Sequence, residues 1–131
     1  MSKINTKVTD SVDFFKGNKP SDLTAKFGSP LYVYSEEILR QRCRDVKNLV
    51  KYPKFSVNYS AKANSNLAFL EIVHEEGLNV DAMSPGEIFV ELKAGFKPEQ
   101  IFYISNNVTA EEMKFAIDHD VLISVELCFS A

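Results

Sequence analysis

The sequence lacks a long apolar run, and no stretch approaches the roughly 18 residues that a transmembrane helix needs. Its first ten residues, MSKINTKVTD, are polar and have no apolar core of the kind found in signal peptides. Blocks of five or more basic residues are also absent, and the formal net charge is -3. This charge pattern argues against a nucleic-acid-binding face. We therefore predict a cytoplasmic protein with no membrane and no nucleic-acid partner.

Cysteine and histidine are equally scarce. Cys43 and Cys128 are the only two cysteines, and their wide separation fits a reducing compartment. For Cys43 we favour the interpretation of a small apolar residue on a helix face. His74 and His119 fall in separate predicted helices, without a cysteine or carboxylate at ligand spacing. The sequence therefore predicts no metal site.

What is present is the composition of a globular domain, with 45% apolar and 25% charged residues. Four segments rich in Val, Ile, Phe and Tyr are predicted strands: residues 55–60, 78–83, 101–105 and 121–125. Three are nearly continuous apolar runs, as buried parallel strands tend to be. Each begins roughly 20 to 23 residues after the one before it. This period indicates a (β/α) barrel or an open parallel sheet.

Segments with helical spacing lie between the strands. Their apolar stripes are Leu67, Leu70 and Val73; Ile88 and Leu92 with the flanking Phe89; and Met113, Ala116 and Ile117. Residues 84–87 and 109–112 have the pattern of capping boxes, the first with Pro85 at the first helical position. Gly77 and Gly95 stand where a helix should end in a left-handed residue. Ahead of the first strand, Ser35 is predicted to cap an amphipathic helix that runs to about Val50.

Lys62 is the first candidate for chemistry, because it directly follows a predicted strand. In proteins built of βα repeats, functional residues come from the carboxyl ends of the strands. We expect the stem of Lys62 to be enclosed and its amine withdrawn from water, an environment that suits attack on an aldehyde. The other interpretation is a lysine at a strand end that simply reaches water. The residue and its position alone leave both open.

The residues around this lysine carry a family resemblance. Tyr-Ser-Ala-Lys-Ala-Asn, at residues 59–64, resembles the Tyr-Ala-x-Lys-Ala-Asn signature of barrel-type, alanine-racemase-like pyridoxal-phosphate enzymes. The continuation Ser65-Asn66-Leu67 is similar to the decarboxylase branch, and Ala63 favours diaminopimelate decarboxylases. Residues 27–35, 81–87, 93–96 and 104–107 are similar to further elements of that family.

This resemblance implies an α/β fold, a partial (β/α)8 TIM-type barrel with about the first four strands of the domain that binds pyridoxal 5'-phosphate. Residues 1–28 are expected to form a lead-in segment and residues 29–131 the amino-terminal part of the barrel, with the carboxyl-terminal β domain absent. The implied reaction converts meso-2,6-diaminopimelate, a small-molecule amino-acid substrate, to L-lysine and carbon dioxide. The full-length enzyme is expected to be a homodimer. Alternatives are a decarboxylase of ornithine, arginine or carboxynorspermidine, or a non-catalytic barrel half that needs a partner.

The resemblance also implies roles for individual residues. Lys62 would hold pyridoxal 5'-phosphate as a Schiff base, and Asp81 would lie near that lysine. Glu87 would lie close to the cofactor, while as the third residue of a capping box it also has a structural interpretation. Asn64 would anchor the turn after Lys62 or satisfy its backbone groups, and Asn106 is interpreted as a turn residue.

The resemblance stops at Glu126, and residues 127–131 are interpreted as a truncation, a frameshift or part of a fragmentary gene. The family's glycine-rich phosphate cradle lies downstream. So do its acidic partner for the pyridine nitrogen, its arginine for the substrate carboxylate and the cysteine contributed across its dimer. We therefore expect the 131-residue chain alone to be inactive.

Overall fold

The computed structural model describes residues 14–125, and the division between its two compact units lies between Glu37 and Ile38. The first unit contains helix α1 (Pro20–Phe27), which the sequence analysis did not predict. Pro20 at its start and Gly28 at its end, with φ of 87°, are a standard pair of helix boundary signals. The expected domain boundary after residue 28 stays a prediction. Cys128 and the interpreted tail lie outside the described residues.

The remaining elements alternate between helix and strand. They are α2 (Glu36–Lys47), β1 (Asn58–Ser60), α3 (Leu67–Glu75), β2 (Asn79–Ala82), α4 (Pro85–Lys93), β3 (Ile101–Ile104), α5 (Ala110–Asp118) and β4 (Leu122–Ser124), with single 3-10 turns at Ala61–Ala63 and Pro98–Gln100. The four strands form one parallel sheet in the order β1-β2-β3-β4. This confirms the predicted α/β class. In the described part, no helix has the length and apolar character required to cross a membrane.

The strands are shorter than predicted, and β1 shows why. Its pairing with β2 begins at Asn58 opposite Asn79, after a first bond from the Asn79 N–H to the Val57 carbonyl. The preceding residue, Leu78, donates its N–H to Val73 and so closes the end of α3. Residues 55–57 therefore have no paired residues on β2.

The two faces of the sheet differ in burial. The face against the helices, here called the covered face, carries Tyr59, Val80, Ala82, Ile101, Tyr103 and Ile123, which belong to the core or pack against it. The opposite face, here called the open face, carries Asn58, Ser60, Asn79, Asp81, Phe102, Ile104, Leu122 and Ser124, all exposed or half-buried. Because side chains alternate along a strand, this division follows from the register. The open face is polar on β1 and β2 and mostly apolar on β3 and β4.

The helices bury only part of each predicted stripe. Leu70, Val73, Ile88 and Ala116 are fully buried, as predicted. Leu67, Phe89 and Ile117, which belong to the same stripes or flank them, are exposed at 43%, 55% and 62%. On α4 the side chain that turns inward is instead Glu91, at 0% exposure. The rotation of a helix about its axis is set by its neighbours, and the stripe alone did not fix it.

The predicted helix boundaries are largely confirmed. Thr109 and Glu112 form a reciprocal capping box at α5. Gly77 and Gly95 follow α3 and α4 with φ of 74° and 98°, which is the left-handed geometry expected of them. Helix α2 ends at Lys47, three residues before the predicted Val50.

Within the second unit, α2 is held to the end of α3 by charge. Arg40 and Arg44 both bind the carboxylate of Glu76, at 3.1 and 2.7 Å, and Lys47 Nζ donates to the Glu76 carbonyl at 3.0 Å. The hydrogen bond from Arg44 is the main cause of a lowered pKa for the Glu76 carboxyl. Cys43 is the residue of α2 that is buried, and burial raises its pKa. Its interpretation as a small apolar core residue is confirmed.

Candidate functional site

The chemistry-bearing residues lie at one end of the sheet. Because the strands are parallel, their carboxyl ends share an edge, and the segments that follow β1, β2 and β3 meet there. These segments contain Lys62, residues 83–84 and residues 105–106. The parallel topology therefore places these positions at the same edge of the sheet.

Lys62 sits in the 3-10 turn that follows β1 directly. Its neighbour Ala61 is fully buried, but Lys62 itself is exposed, so the expectation of an enclosed stem was wrong. The reason is topological: β1 is an edge strand of the described sheet and pairs only with β2. Among residues 14–125, no carboxylate lies within ion-pairing distance of the Lys62 amine. The Lys62 side chain is thus accessible from solvent.

The turn that carries Lys62 is fixed by its neighbours. Asn64 Oδ1 accepts the Asn66 N–H at 3.0 Å, and Asn66 Oδ1 accepts the Ala68 N–H at 3.1 Å and so caps α3. The Tyr59 hydroxyl donates to the Asn64 carbonyl at 3.3 Å. These bonds support the structural interpretation of Asn64, since its side-chain oxygen is already engaged by the backbone.

Asp81 lies on the open face of β2, directly opposite Ser60 on β1. The Ser60 hydroxyl donates to Asp81 Oδ1 at 2.9 Å, and both residues are half-buried. Because Asp81 is only half-buried, water also reaches it, and the hydrogen bond from Ser60 adds a charge-assisted contact. This bond uses one of the two carboxylate oxygens, and the pairing with Ser60 places Asp81 at the carboxyl edge of the sheet.

Glu87 lies in the first turn of α4 and has a clear structural role. Ser84 Oγ accepts the Glu87 N–H at 3.2 Å, which is half of the predicted capping box. Glu87 Oε2 accepts the N–H of Met83 at 2.6 Å rather than that of Ser84. The predicted reciprocal box is therefore corrected by one residue: the carboxylate binds the residue before the N-cap. This bond ties the end of β2 to the start of α4.

Replacing Glu87 by glutamine should change the free energy of unfolding by well under about 1 kcal/mol, because the glutamine carbonyl can accept the same Met83 N–H. Denaturant unfolding of both proteins at pH 7 measures this. Glu87→Ala is the matched control and should lose about 1 kcal/mol, since it removes the acceptor. Equal losses in both variants would show that the charge, and not the hydrogen bond, is what stabilises the cap.

Two buried polar side chains were not predicted from the sequence. Glu91 and Tyr103 are both at 0% exposure, and neither the Glu91 carboxyl nor the Tyr103 hydroxyl has a hydrogen-bond partner within the described residues. Burial, with smaller contributions from the charges of Glu87 and Asp81, raises the pKa of Glu91 to about 8. Burial also raises the pKa of Tyr103. The available signal was Glu91 itself, a charged residue three positions after Ile88 on the core side of α4.

The ends of β3 and β4 are fastened together. The Ser105 hydroxyl donates to the Ser124 carbonyl, and the Ser124 hydroxyl donates to the Tyr103 carbonyl at 3.4 Å. Asn106 donates its N–H to Ile104, and Asn107 is left-handed with φ of 56°. This geometry supports the interpretation of Asn106 as a turn residue.

The arrangement suits covalent capture of an aldehyde better than metal chemistry. Within residues 14–125, no cluster of three or more His, Cys, Asp or Glu side chains could hold a metal ion. The exposed Lys62 amine lies on a turn fixed by hydrogen bonds, at the same sheet edge as the Asp81 carboxylate. An amine and a neighbouring anion are the groups that an aldehyde cofactor needs for covalent attachment and charge balance, so the residues present fit pyridoxal 5'-phosphate.

Comparison with known proteins agrees with this chemistry. Residues 36–128 match the family described as "Pyridoxal-dependent decarboxylase, pyridoxal binding domain". The chain is 44% identical over 107 residues to the diaminopimelate decarboxylase of Methanothermobacter thermautotrophicus, covering 80% of this chain and 25% of that protein. The chain thus spans about a quarter of the length of this curated relative.

Solved structures give the same fold. The crystal structure of diaminopimelate decarboxylase from Helicobacter pylori, complexed with L-lysine, is 30% identical with a TM-score of 0.73, covering 80% of this chain and 27% of that one. A lysine/ornithine decarboxylase from Vibrio vulnificus, complexed with putrescine, has a TM-score of 0.70, with 77% and 27% coverage. At 19% identity, this second likeness concerns the fold alone. These neighbours are consistent with a partial barrel.

Proposed function

Because this chain belongs to the pyridoxal-dependent decarboxylase family, through its pyridoxal binding domain, we propose that it supplies the cofactor-anchoring part of a diaminopimelate decarboxylase. The reaction would convert meso-2,6-diaminopimelate to L-lysine and carbon dioxide. The observation that carries the proposal is the exposed amine of Lys62, on a fixed turn at the carboxyl edge of a parallel sheet. Pyridoxal 5'-phosphate, when bound, supplies a ring that accepts the electron pair left at the substrate carbon when carbon dioxide departs.

The residues of the chain would share the work as follows. Lys62 would hold the cofactor covalently, with its Nζ bonded to the carbon of the cofactor's aldehyde group. The Asp81 carboxylate, held on one side by Ser60, would place negative charge at the same edge of the sheet and so balance positive charge on Lys62. Glu87 fixes the segment between β2 and α4 through Met83 and so supports this edge from the neighbouring loop.

Diaminopimelate is favoured over the other substrates by the comparisons. The curated relatives reach 44% identity under the name diaminopimelate decarboxylase, while the lysine/ornithine decarboxylase structure is 19% identical. A non-catalytic role is the second candidate, favoured by the open face of the sheet, where Phe102, Ile104 and Leu122 are not packed into the core. The homodimer of a longer protein and the cytoplasmic location stay predictions.

The 131-residue chain alone should release carbon dioxide from meso-diaminopimelate no faster than pyridoxal 5'-phosphate in buffer. Catalysis of this kind depends on electrostatic support from several strand ends at once, and the described sheet supplies four. Labelled carbon dioxide release, measured against free cofactor, checks this. Release above that background that is lost in Lys62→Ala would contradict our expectation that further strands are needed.

The proposed function is tested with a chimeric enzyme, here called the graft. Residues 36–125 would replace the matching segment of the Methanothermobacter enzyme, with an otherwise identical Lys62→Ala graft as control. Turnover of meso-diaminopimelate by the first graft, and its absence from the control, would support the proposed function. A folded graft that binds the cofactor but does not turn over substrate would favour the non-catalytic role.

A further inference from the structure

Within residues 59–64, Ser60 is the one residue that departs from the signature that this segment resembles. That signature, Tyr-Ala-x-Lys-Ala-Asn, has alanine where this chain has serine. The Ser60 hydroxyl makes a specific contact, because it donates a hydrogen bond to Asp81 Oδ1 at 2.9 Å. An alanine could make no such bond.

The geometry of this contact follows from strand register. Ser60 and Asp81 are directly paired on adjacent parallel strands, so their side chains leave the open face side by side. Ser60 is the last residue of β1, and Lys62 follows two residues later in the turn. The serine therefore links the carboxylate of β2 to the strand that ends at the reactive lysine.

The contact is not required to satisfy a buried group. Ser60 and Asp81 are half-buried on the open face, where water can solvate both. A hydrogen bond to a carboxylate from a fixed donor restricts the rotation of the carboxylate. Its effect is therefore to orient Asp81 rather than to repair the fold.

We propose that Ser60 is a positioning residue that holds the Asp81 carboxylate toward the cofactor linkage on Lys62. The inference rests on the proposed function, since it concerns the same site. Ser60 does not touch the reacting atoms; it acts through Asp81, by binding Oδ1. With Asp81 fixed, the protonated C=N bond between Lys62 and the cofactor has a counter-charge at constant position.

The experiment uses the full 131-residue chain with pyridoxal 5'-phosphate as the probe. The absorbance of the bound cofactor is titrated against pH, since protonation of the C=N bond shifts its band. In Ser60→Ala, the pH at which half of the linkage is protonated should fall by roughly half a unit, and cofactor affinity should weaken about three-fold. Ser60→Thr keeps the hydroxyl and should restore wild-type values. Ser65→Ala, an exposed serine in the same loop, should have no effect.

A double-mutant cycle separates positioning from general structure. In an Asp81→Asn background, Ser60→Ala should produce no further shift, because the charge that it orients is gone. A wild-type titration curve in Ser60→Ala, with the adduct still on Lys62, would overturn this inference and leave the proposed function intact. A wild-type chain that forms no adduct on Lys62 would overturn both. Because Ser60→Thr retains strand propensity, a failure of Ser60→Ala to fold still leaves the Asp81→Asn and Ser60→Thr titrations to decide.

Discussion

Lys62→Ala should abolish the borohydride-stable adduct between this chain and pyridoxal 5'-phosphate. Reduction converts the C=N bond to a stable secondary amine, so any lysine that holds the cofactor is permanently labelled. Lys62 is exposed on a fixed turn, and no carboxylate among the described residues pairs with its amine. Intact mass and peptide mapping should therefore find the label on the peptide that contains Lys62 in the wild type, and no label there in the variant.

The same substitution should leave the fold nearly unchanged. An exposed side chain contributes little packing, so the free energy of unfolding should shift by less than about 0.5 kcal/mol. Lys54→Ala is the matched control, since Lys54 is also exposed, lies just ahead of β1 and should leave the adduct on Lys62 intact. Labelling spread evenly over several lysines, or equal labelling of wild type and Lys62→Ala, would contradict the assignment of Lys62 as the cofactor lysine.

Glu91 should make the protein less stable as the pH rises. Its side chain is fully buried, its carboxyl oxygens have no partner within the described residues, and its pKa is raised to about 8. In the unfolded chain its pKa returns to an ordinary value near 4.5. Between these values the folded state holds a proton that the unfolded state has released, so raising the pH favours unfolding.

The size of this effect follows from the proton linkage. Each pH unit between the two pKa values costs about 1.4 kcal/mol, so stability should fall by about 2 to 3 kcal/mol from pH 5 to pH 7 on account of Glu91. The loss is complete once the pH passes about 8. Denaturant unfolding at a series of pH values measures the slope.

The matched variants isolate this residue. Glu91→Leu fills a similar volume without a charge and should remove the slope, raising stability at pH 7 by about 2 kcal/mol or more. Glu71→Gln removes an exposed carboxylate from α3 and should leave the slope in place. A Glu91→Leu protein whose pH dependence matches the wild type would mean that the carboxyl reaches a partner or water.

The order of elements was readable from the sequence because local signals agreed with one another. Apolar runs marked the strands, and Thr109 with Glu112, Gly77 and Gly95 marked helix boundaries by hydrogen bonds that depend only on near neighbours. The sequence did not reveal which way each helix turns. On α4, Glu91 is buried and Phe89 is exposed, although a charged residue ordinarily faces solvent and an aromatic one the core. The contacts of α4 with β2, β3 and the neighbouring helices decide this rotation of the helix.

For the candidate site, too, the local features could be predicted from the sequence and the non-local ones could not. The motif around Lys62 gave its position at a strand end, because the strand and the turn are local. The enclosure expected for Lys62 was wrong, because it depends on what lies beside an edge strand and not on the strand itself. The bond from Ser60 to Asp81 needed the register between β1 and β2, which pairs residues 21 positions apart in the chain. No local pattern specifies such a pair.

Gly77 lies beside the end of the Lys47 side chain, where there is no room for a larger residue unless that side chain moves. A β-carbon on residue 77 would lie 2.6 Å from Lys47 Nζ, the ammonium that donates to the Glu76 carbonyl. The same β-carbon would also strain a backbone with φ of 74°. A substitution at residue 77 would therefore push the end of the Lys47 side chain away from the Glu76 carbonyl. Because that side chain is flexible, the larger cost would be the strained backbone, so glycine is favoured at residue 77 whichever residue stands at position 47.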